Sequence, residues 1–301
     1  MIRPLRVLSA GLLLVATACG SDAATQPTTT SATHASAPVP TSAEPPVAVR
    51  DDGRPITAAD PLKVVVIGDS VTYELVPALA AALESTGVAE TTEVTQWGFA
   101  LSSDTRIRWR ETWPGLLGNA QPDLVVMQTG SWDVDVNLLA AERDPNPEDE
   151  DWERAFAAVL DEAAFRLTFN GAKVLWLSML PGPDPSASER LNEATKALAD
   201  RNPNVAWIDA AAPIRAPDGS FVEVDLSGRF LRKPDGVHVC VDGAQLVIEV
   251  VAEYLADRFG LSFGSWQDGA WRDSGRYRLD PCLDVAATDL VVAGEQEEAP
   301  G

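Results

Sequence analysis

Short apolar runs alternate along the chain with stretches whose apolar residues recur at helical spacing. The runs have the length of strands, and the first reads KVVVIG. The predicted strands cover residues 63–68, 92–98, 123–130, 173–180 and 205–210, and the predicted helices cover residues 73–87, 154–171, 186–200 and 241–260. Strands that alternate with helices predict an α/β fold with a five-stranded parallel sheet covered on both faces.

The chain begins with a segment that is typical of export signals. Arg3 and Arg6 precede an apolar run at 7–18, which is too short to span a membrane but fits a secretory signal. Small residues lead into Cys19, and this resembles a bacterial lipoprotein signal, in which the cysteine is lipidated and becomes the mature N-terminus. We expect residues 1–18 to be a signal peptide and Cys19 to be lipidated. The alternative is an ordinary secretory signal with an incidental cysteine.

The composition then changes twice along the chain. Residues 19–60 are rich in Thr, Ser, Ala and Pro, so we expect a disordered tether. Residues 61–285 have the size of one α/β domain, and residues 286–301, which end in GEQEEAPG, are expected to be a disordered tail. An anchor followed by a tether predicts an exported protein held at the outer face of the cell membrane.

Charge and cysteine content limit the partners. With 45 acidic and 23 basic residues, the net charge of −22 argues against nucleic-acid binding and against docking on anionic lipid by charge. After Cys19, the remaining cysteines are Cys240 and Cys282. Outside the cytoplasm they are expected to form a disulfide that ties the C-terminal segment to the domain. The alternative is two free buried thiols.

A serine lies where the first predicted strand meets the first predicted helix, in Gly68-Asp69-Ser70. Reacting groups gather at the carboxyl ends of parallel strands, but a serine nucleophile needs a base and the base needs an orienting group. His238 is the histidine of the predicted domain, and Asp235 lies three residues before it on a predicted tight turn. These residues are candidates for a catalytic triad. The alternative for Ser70 is that it caps the helix.

The sequences GDS at 68–70 and DGVH at 235–238 together resemble the SGNH (GDSL) hydrolase superfamily. The resemblance covers nearly the whole predicted domain. It implies a flavodoxin-like three-layer sandwich that transfers an acyl group to water or another acceptor. It also implies that Ser70 is the nucleophile, His238 the general base and acid, and Asp235 the orienting carboxylate.

The same resemblance assigns the backbone N–H groups of Ser70 and Gly98 to the oxyanion hole. The family's third donor is the Asn of a Gly-x-Asn-Asp motif, but residues 130–133 read Gly-Ser-Trp-Asp, so Trp132 stands in its place. Either two backbone donors suffice, or Ser131 or Trp132 supplies a third, or hydrolysis has been lost. This variant resembles SGNH domains associated with bacterial surface-polysaccharide acyltransferases, which makes acyl transfer an alternative to hydrolysis. For Trp132 the other interpretation is core packing.

Aromatic residues near the motif loops are candidates for an acyl or sugar pocket. Tyr73, Trp97 and Trp132 are predicted to contact the substrate, and Phe99 and Trp109 lie near the same loops. Since the chain contains nine Trp, core packing is the alternative for each of them.

Two other features leave alternatives open. Arg106, Arg108 and Arg110 form a local basic cluster that either holds an anionic group or, as we favour, forms salt bridges on a solvated face. Asp209, at the end of the fifth predicted strand, is an alternative third member of the triad. Metal-ligand spacings and nucleotide-binding glycine motifs are absent from the sequence, so neither a metal nor a cofactor is expected.

The combined pattern predicts an exported serine esterase or O-acyl transferase that acts on ester-linked acyl groups. Its exported location favours glycan or lipid esters of the cell envelope as substrates. The alternative is a non-catalytic lipoprotein that binds a glycan or a partner in the same cleft. The intact Ser70, His238 and Asp235 favour the enzyme, whereas Trp132 favours the binding protein.

Overall fold

The computed structural model describes residues 47–103, 108–128, 130–133, 149–277 and 282. The predicted signal peptide, Cys19, most of the predicted tether and the predicted tail lie outside this part of the chain. Five parallel strands form one sheet in the order β2-β1-β3-β4-β5. This is the flavodoxin-like order, and it confirms the predicted fold class. The strands are β1 Leu62–Gly68, β2 Ala89–Thr95, β3 Leu124–Met127, β4 Lys173–Leu177 and β5 Val205–Ile208.

Helices cover both faces of this sheet, which gives three layers. The helices are α1 Ser70–Ser85, α2 Trp109–Ala120, α3 Asp149–Thr168, α4 Ser186–Arg201 and α5 Val241–Phe259. Alternate residues of β1 point to opposite faces: Val64 and Val66 pack with α1 and α5, and Val65 and Ile67 pack with α2, α3 and α4. Among the described helices, none has the length and apolar character needed to cross a membrane.

Helix α2 is missing from the sequence prediction because Pro114 lies inside it. Proline has no N–H, so the carbonyl four residues earlier loses its helical partner. That carbonyl belongs to Arg110, and it accepts a hydrogen bond of 3.1 Å from the guanidinium of Arg166 on α3. A side chain from a distant element therefore replaces the bond that Pro114 removes.

The C-terminal segment is tied to the domain in two ways. Pro77 lies inside α1 and frees the carbonyl of Tyr73, which accepts a hydrogen bond from Arg276. The structure also joins Cys240, at the start of α5, to Cys282 in a disulfide with a Cα–Cα distance of 5.6 Å. These links fasten the segment that follows α5 onto α1 and α5.

The folded domain begins earlier than predicted, because residues 47–60 pack against it and are not part of a tether. Ile56 is buried, and Arg50 is buried with its Nε donating to Oδ1 of Asp123 at 2.9 Å. The same guanidinium donates to the carbonyls of Pro55 and Pro61. Arg50 thus ties this segment to the amino end of β3, which follows Asp123.

Candidate active site

The nucleophile candidate lies at the first turn of α1, directly after β1. The residue that caps this helix is Asp69, whose Oδ1 accepts the N–H of Val71 at 2.9 Å. The alternative that Ser70 caps the helix is therefore wrong. Gly130 is required here, because a Cβ at that position would lie 1.6 Å from an oxygen of Asp69. Because Asp69 caps the helix, the hydroxyl of Ser70 is not needed as a cap and lies next to His238 instead.

Ser70, His238 and Asp235 form one continuous hydrogen-bond chain. Ser70 Oγ lies 2.8 Å from His238 Nε2, and His238 Nδ1 lies 2.6 Å from Asp235 Oδ2. The other carboxylate oxygen of Asp235 accepts the backbone N–H groups of Val237 and His238 at 2.8 and 2.9 Å. One aspartate therefore orients both the backbone and the ring of the histidine.

The surroundings of Asp235 keep it ionised. Partial burial raises the pKa of its carboxyl, but hydrogen bonds from the backbone N–H and the imidazole of His238 outweigh burial, so the pKa lies below its ordinary value. A carboxylate accepts from Nδ1–H and leaves Nε2 without a proton, facing Ser70. This is the tautomer that a general base requires.

Asp209, the alternative third member, is engaged elsewhere. Its carboxylate pairs with the guanidinium of Arg215, with one hydrogen bond of 2.7 Å. The same carboxylate lies 3.4 Å from the hydroxyl of Ser178. Because Asp235 occupies Nδ1 of His238, the assignment of Asp209 to the triad is wrong.

Two buried charged residues that the sequence did not single out hold the loop that carries His238. Glu74, one turn after Ser70 on α1, pairs with Lys233 at 2.6 Å and accepts the N–H of Val239 at 2.9 Å. Burial raises the pKa of the Glu74 carboxyl in spite of this ion pair. The contact ties the helix that begins with Ser70 to the residue next to His238.

The second is Arg232, which is 1% exposed. Its guanidinium donates to the carbonyls of Pro181, Gly236, Val237 and His238 at 2.5 to 3.3 Å. Burial lowers its pKa to about 10. The signal in the sequence is a pair of basic residues, Arg-Lys, just before the DGVH motif in an acidic chain.

The two backbone donors assigned to the oxyanion hole are at the expected edge of the sheet. Ser70 begins α1, so its N–H has no partner within the helix. Gly98 follows β2 with φ of +72°, a backbone conformation that favours glycine. Within the described part of the chain, neither N–H donates a hydrogen bond. Both are therefore available to an oxygen of a substrate.

The Gly-Ser-Trp-Asp segment forms a short 3₁₀-helix, Ser131–Asp133, after β3. Trp132 is 41% exposed, so the interpretation that it packs in the core is wrong. The side chain of Ser131 lies outside the described part of the chain.

Asp133, which the sequence analysis passed over, is fully buried behind this motif and links two loops. One of its carboxylate oxygens accepts the N–H of Ser102 at 2.8 Å, and the other has no hydrogen-bond partner among the residues that the structure describes. Burial raises the pKa of Asp133 to about 7, and the nearby Asp69 acts in the same direction. The carboxyl therefore keeps its proton in mildly acidic solution and loses it around neutral pH.

The aromatic candidates divide into two groups. Trp97 is 63% exposed, and its ring centroid lies 5.9 Å from that of Tyr73 and 5.9 Å from that of His238. Trp97 therefore lies beside His238 and contacts Tyr73, and contact of Tyr73, Trp97 and Trp132 with the substrate stays a prediction. Phe99 and Trp109 are buried in the core, so a role for them in the pocket is wrong.

The basic cluster forms salt bridges where the structure describes it. Arg108 lies 3.2 Å from Glu111, and Arg110 lies 2.8 Å from Glu162. Arg106 lies outside the described residues. In that described part of the chain, no group of three or more His, Cys, Asp or Glu side chains is placed to hold a metal ion.

Several solved structures are similar to this chain at low identity. One is a carbohydrate esterase family 3 protein from Talaromyces cellulolyticus, with 16% identity, a TM-score of 0.47 and coverage of 65% of this chain and 97% of that chain. A GDSL-like lipase from Bacteroides thetaiotaomicron has 17% identity, a TM-score of 0.45 and coverage of 65% and 88%. The aryl esterase of M. smegmatis has 17% identity, a TM-score of 0.46 and coverage of 65% and 99%.

No curated protein sequence matches the chain significantly. A family model matches residues 63–254, which is more than half of the chain and includes Ser70, Asp235 and His238. The chain therefore belongs to the family described as "Protein of unknown function (DUF459)".

Proposed function

We propose that this protein is an exported serine ester hydrolase or O-acyl transferase of the SGNH type. The observation that carries the proposal is the hydrogen-bond chain from Asp235 through His238 to Ser70, with distances of 2.6 and 2.8 Å. The motifs that resemble the superfamily, at the ends of the first strand and before the last helix, supply the same three residues. The position of Ser70 directly after β1 also supports the proposal, because reacting groups gather at the carboxyl ends of parallel strands.

In the first half of the reaction, Ser70 Oγ attacks the carbonyl carbon of an ester while His238 Nε2 accepts the hydroxyl proton. The carbonyl electron pair moves to the oxygen, which the N–H groups of Ser70 and Gly98 stabilise. When the carbonyl re-forms, the bond to the alcohol breaks and His238 gives its proton to the leaving oxygen. The acyl group is then bound to Ser70.

In the second half, water or an acceptor hydroxyl attacks the acyl carbon and gives its proton to His238. Collapse breaks the bond to Ser70 Oγ, which takes the proton back from His238. Water gives hydrolysis and a sugar or lipid hydroxyl gives acyl transfer. The exposed Trp97 next to His238 is placed to stack on a sugar ring of a donor or acceptor.

The assay is hydrolysis of p-nitrophenyl acetate by the purified protein and by Ser70→Ala and His238→Ala. The matched control is Ser227→Ala, whose hydroxyl donates to Asp225 in a surface turn. We expect both site variants to lose nearly all activity and Ser227→Ala to keep it. Addition of a hexose, with the share of acetyl found on the sugar, separates hydrolase from transferase.

Equal rates in all four proteins would contradict the proposal. A fully folded protein without esterase or transferase activity towards any acyl ester would favour the alternative, a binding lipoprotein. In that case the exposed Trp97 and Trp132 are the side chains that a glycan would contact.

We also propose that the protein is anchored to the outer face of the cell membrane through lipidated Cys19. The support is the basic start, the apolar run and the small residues that precede the cysteine. Fractionation of cells that express the protein or Cys19→Ser tests this. We expect the protein in the membrane fraction and the variant outside it, and an unchanged distribution would contradict the anchor.

A further inference from the structure

A cavity of about 210 Å³ lies beside the triad. Its walls come from the residues next to each part of the site: Val71 follows Ser70, Gly130 contacts Asp69, and Val237 precedes His238. The far wall is formed by the loop after β4 and the first turn of α4, including Leu180, Pro183 and Ala187. The cavity is therefore bordered by the same loops that hold the nucleophile and the base.

The buried polar side chains in the wall already have partners. Gln128 donates to the carbonyl of Ser178 at 3.0 Å and accepts from the hydroxyl of Thr72 at 3.1 Å. Arg232 directs its N–H groups to the carbonyls of the loop behind the cavity. A ligand that needs hydrogen bonds gains little from such a wall, whereas an apolar ligand is favoured by burial of its surface.

We propose that this cavity binds the acyl chain of the substrate and limits it to a short apolar chain, shorter than octanoyl. The inference rests on the proposed function, because it needs an acyl group on Ser70. The volume supports a short chain, because pockets for drug-sized ligands have roughly 300–1,000 Å³. In this arrangement the acyl group on Ser70 Oγ extends past Val71 into the cavity. The alcohol part of the ester lies on the side of Trp97.

The chain-length preference of the protein is measurable with p-nitrophenyl esters from acetate to octanoate. While the cavity fills, we expect kcat/KM to rise by up to about fourfold for each added methylene. Beyond the length that fits, we expect kcat/KM to fall by about tenfold or more.

Ala187→Leu fills part of the cavity from the first turn of α4, and the matched control is Ala197→Leu, which is exposed on the same helix. We expect Ala187→Leu to keep the acetate rate within about threefold and to lose about tenfold or more on butyrate. Ala197→Leu should retain the profile of the unmodified protein.

Covalent labelling with a fluorophosphonate separates this inference from the proposed function. If Ala187→Leu is labelled as fast as the control but its chain-length profile is unchanged, the cavity is not the acyl site and the triad stands. A preference of the unmodified protein for octanoate, or for a hemisuccinate over butyrate, would also overturn the inference. If neither variant nor the unmodified protein is labelled, the proposed function itself fails.

Discussion

Buried ion pairs occur at both ends of the parallel sheet, but they do different things. At the amino ends of the strands, a cleft of about 800 Å³ is lined by charged residues that include Arg50 and Asp123. At the carboxyl ends, a cavity of about 210 Å³ lies beside Ser70. The larger of these two openings is at the opposite end of the sheet from Ser70. The size of an opening therefore does not locate the site.

The two ends differ in where their hydrogen bonds lead. Arg50 binds Asp123, Asp60 and backbone carbonyls, so its charge is compensated by groups that hold residues 47–60 against the domain. At the other end, Asp235 orients His238, and His238 Nε2 lies within hydrogen-bonding distance of the hydroxyl of Ser70. At the amino ends the charges compensate one another within the fold, whereas a hydrogen-bond series that ends on a serine hydroxyl is the arrangement that can activate the hydroxyl for attack.

The largest effect is expected from Asp235→Asn. An amide that donates to Nδ1 favours the wrong tautomer of His238, so kcat for acetyl ester hydrolysis should fall by about 10⁴-fold. Steady-state kinetics of this variant and of Asp209→Asn test the comparison, because Asp209 pairs with Arg215 and should be dispensable. Loss of activity in Asp209→Asn alone would contradict the assignment.

Asp123→Asn is expected to destabilise the fold without changing the chemistry. It removes a carboxylate from the buried Arg50, so the free energy of unfolding should fall by about 3 kcal/mol. Urea unfolding measures the loss, and kcat per folded molecule should stay within about twofold. Asp52→Asn, which breaks an exposed pair with Arg54, is the control and should leave the midpoint unchanged. A change in kcat of Asp123→Asn would undermine the distinction between the two ends.

Asp133→Asn should change how stability depends on pH. The folded pKa is about 7 and the ordinary value is 3.8, so between these values the unfolded chain releases a proton that the folded protein keeps. The stability of the unmodified protein therefore falls as pH rises towards 7, and Asn removes this loss. We compare the free energy of unfolding of Asp133→Asn with that of the unmodified protein. We expect this difference to be about 2–3 kcal/mol more in favour of the variant at pH 8 than at pH 5. Urea titrations at both pH values measure it, and an equal effect at both would contradict the raised pKa.

Glu74→Gln tests the ion pair at the carboxyl end of the sheet. Loss of the pair with Lys233 should loosen the loop that positions His238 and lower kcat by about tenfold, with KM within about twofold. Separate determination of kcat and KM distinguishes this from general destabilisation. If only the unfolding midpoint falls, Glu74 is structural in the same sense as Asp123.

The sequence predicted the central part of the sheet because β1, β3 and β4 are buried on both faces and read as apolar runs. It was less accurate where neighbouring elements override local signals. Strand β2 lies at the edge of the sheet and is partly solvated, so it was predicted at 92–98 but lies at Ala89–Thr95. Helix α2 was missed because its Pro114 is compensated by Arg166, a contact that no local pattern reveals.

In the candidate site, too, some residues are recognisable from local sequence and others only from the tertiary fold. Ser70, His238 and Asp235 were recognisable from their types and motifs, and the structure brings them within hydrogen-bonding distance. The supporting residues Glu74 and Arg232 act through contacts with loops distant in sequence, so their roles depend on the tertiary fold.

The most direct test is to label the purified protein with a fluorophosphonate and to map the modified peptide by mass spectrometry. The probe bonds to a serine oxygen only when a base activates it. We expect a single adduct on Ser70, absent from Ser70→Ala and His238→Ala and unchanged in Ser227→Ala. A folded protein that takes up no label, or that carries it on another serine, would contradict an activated Ser70.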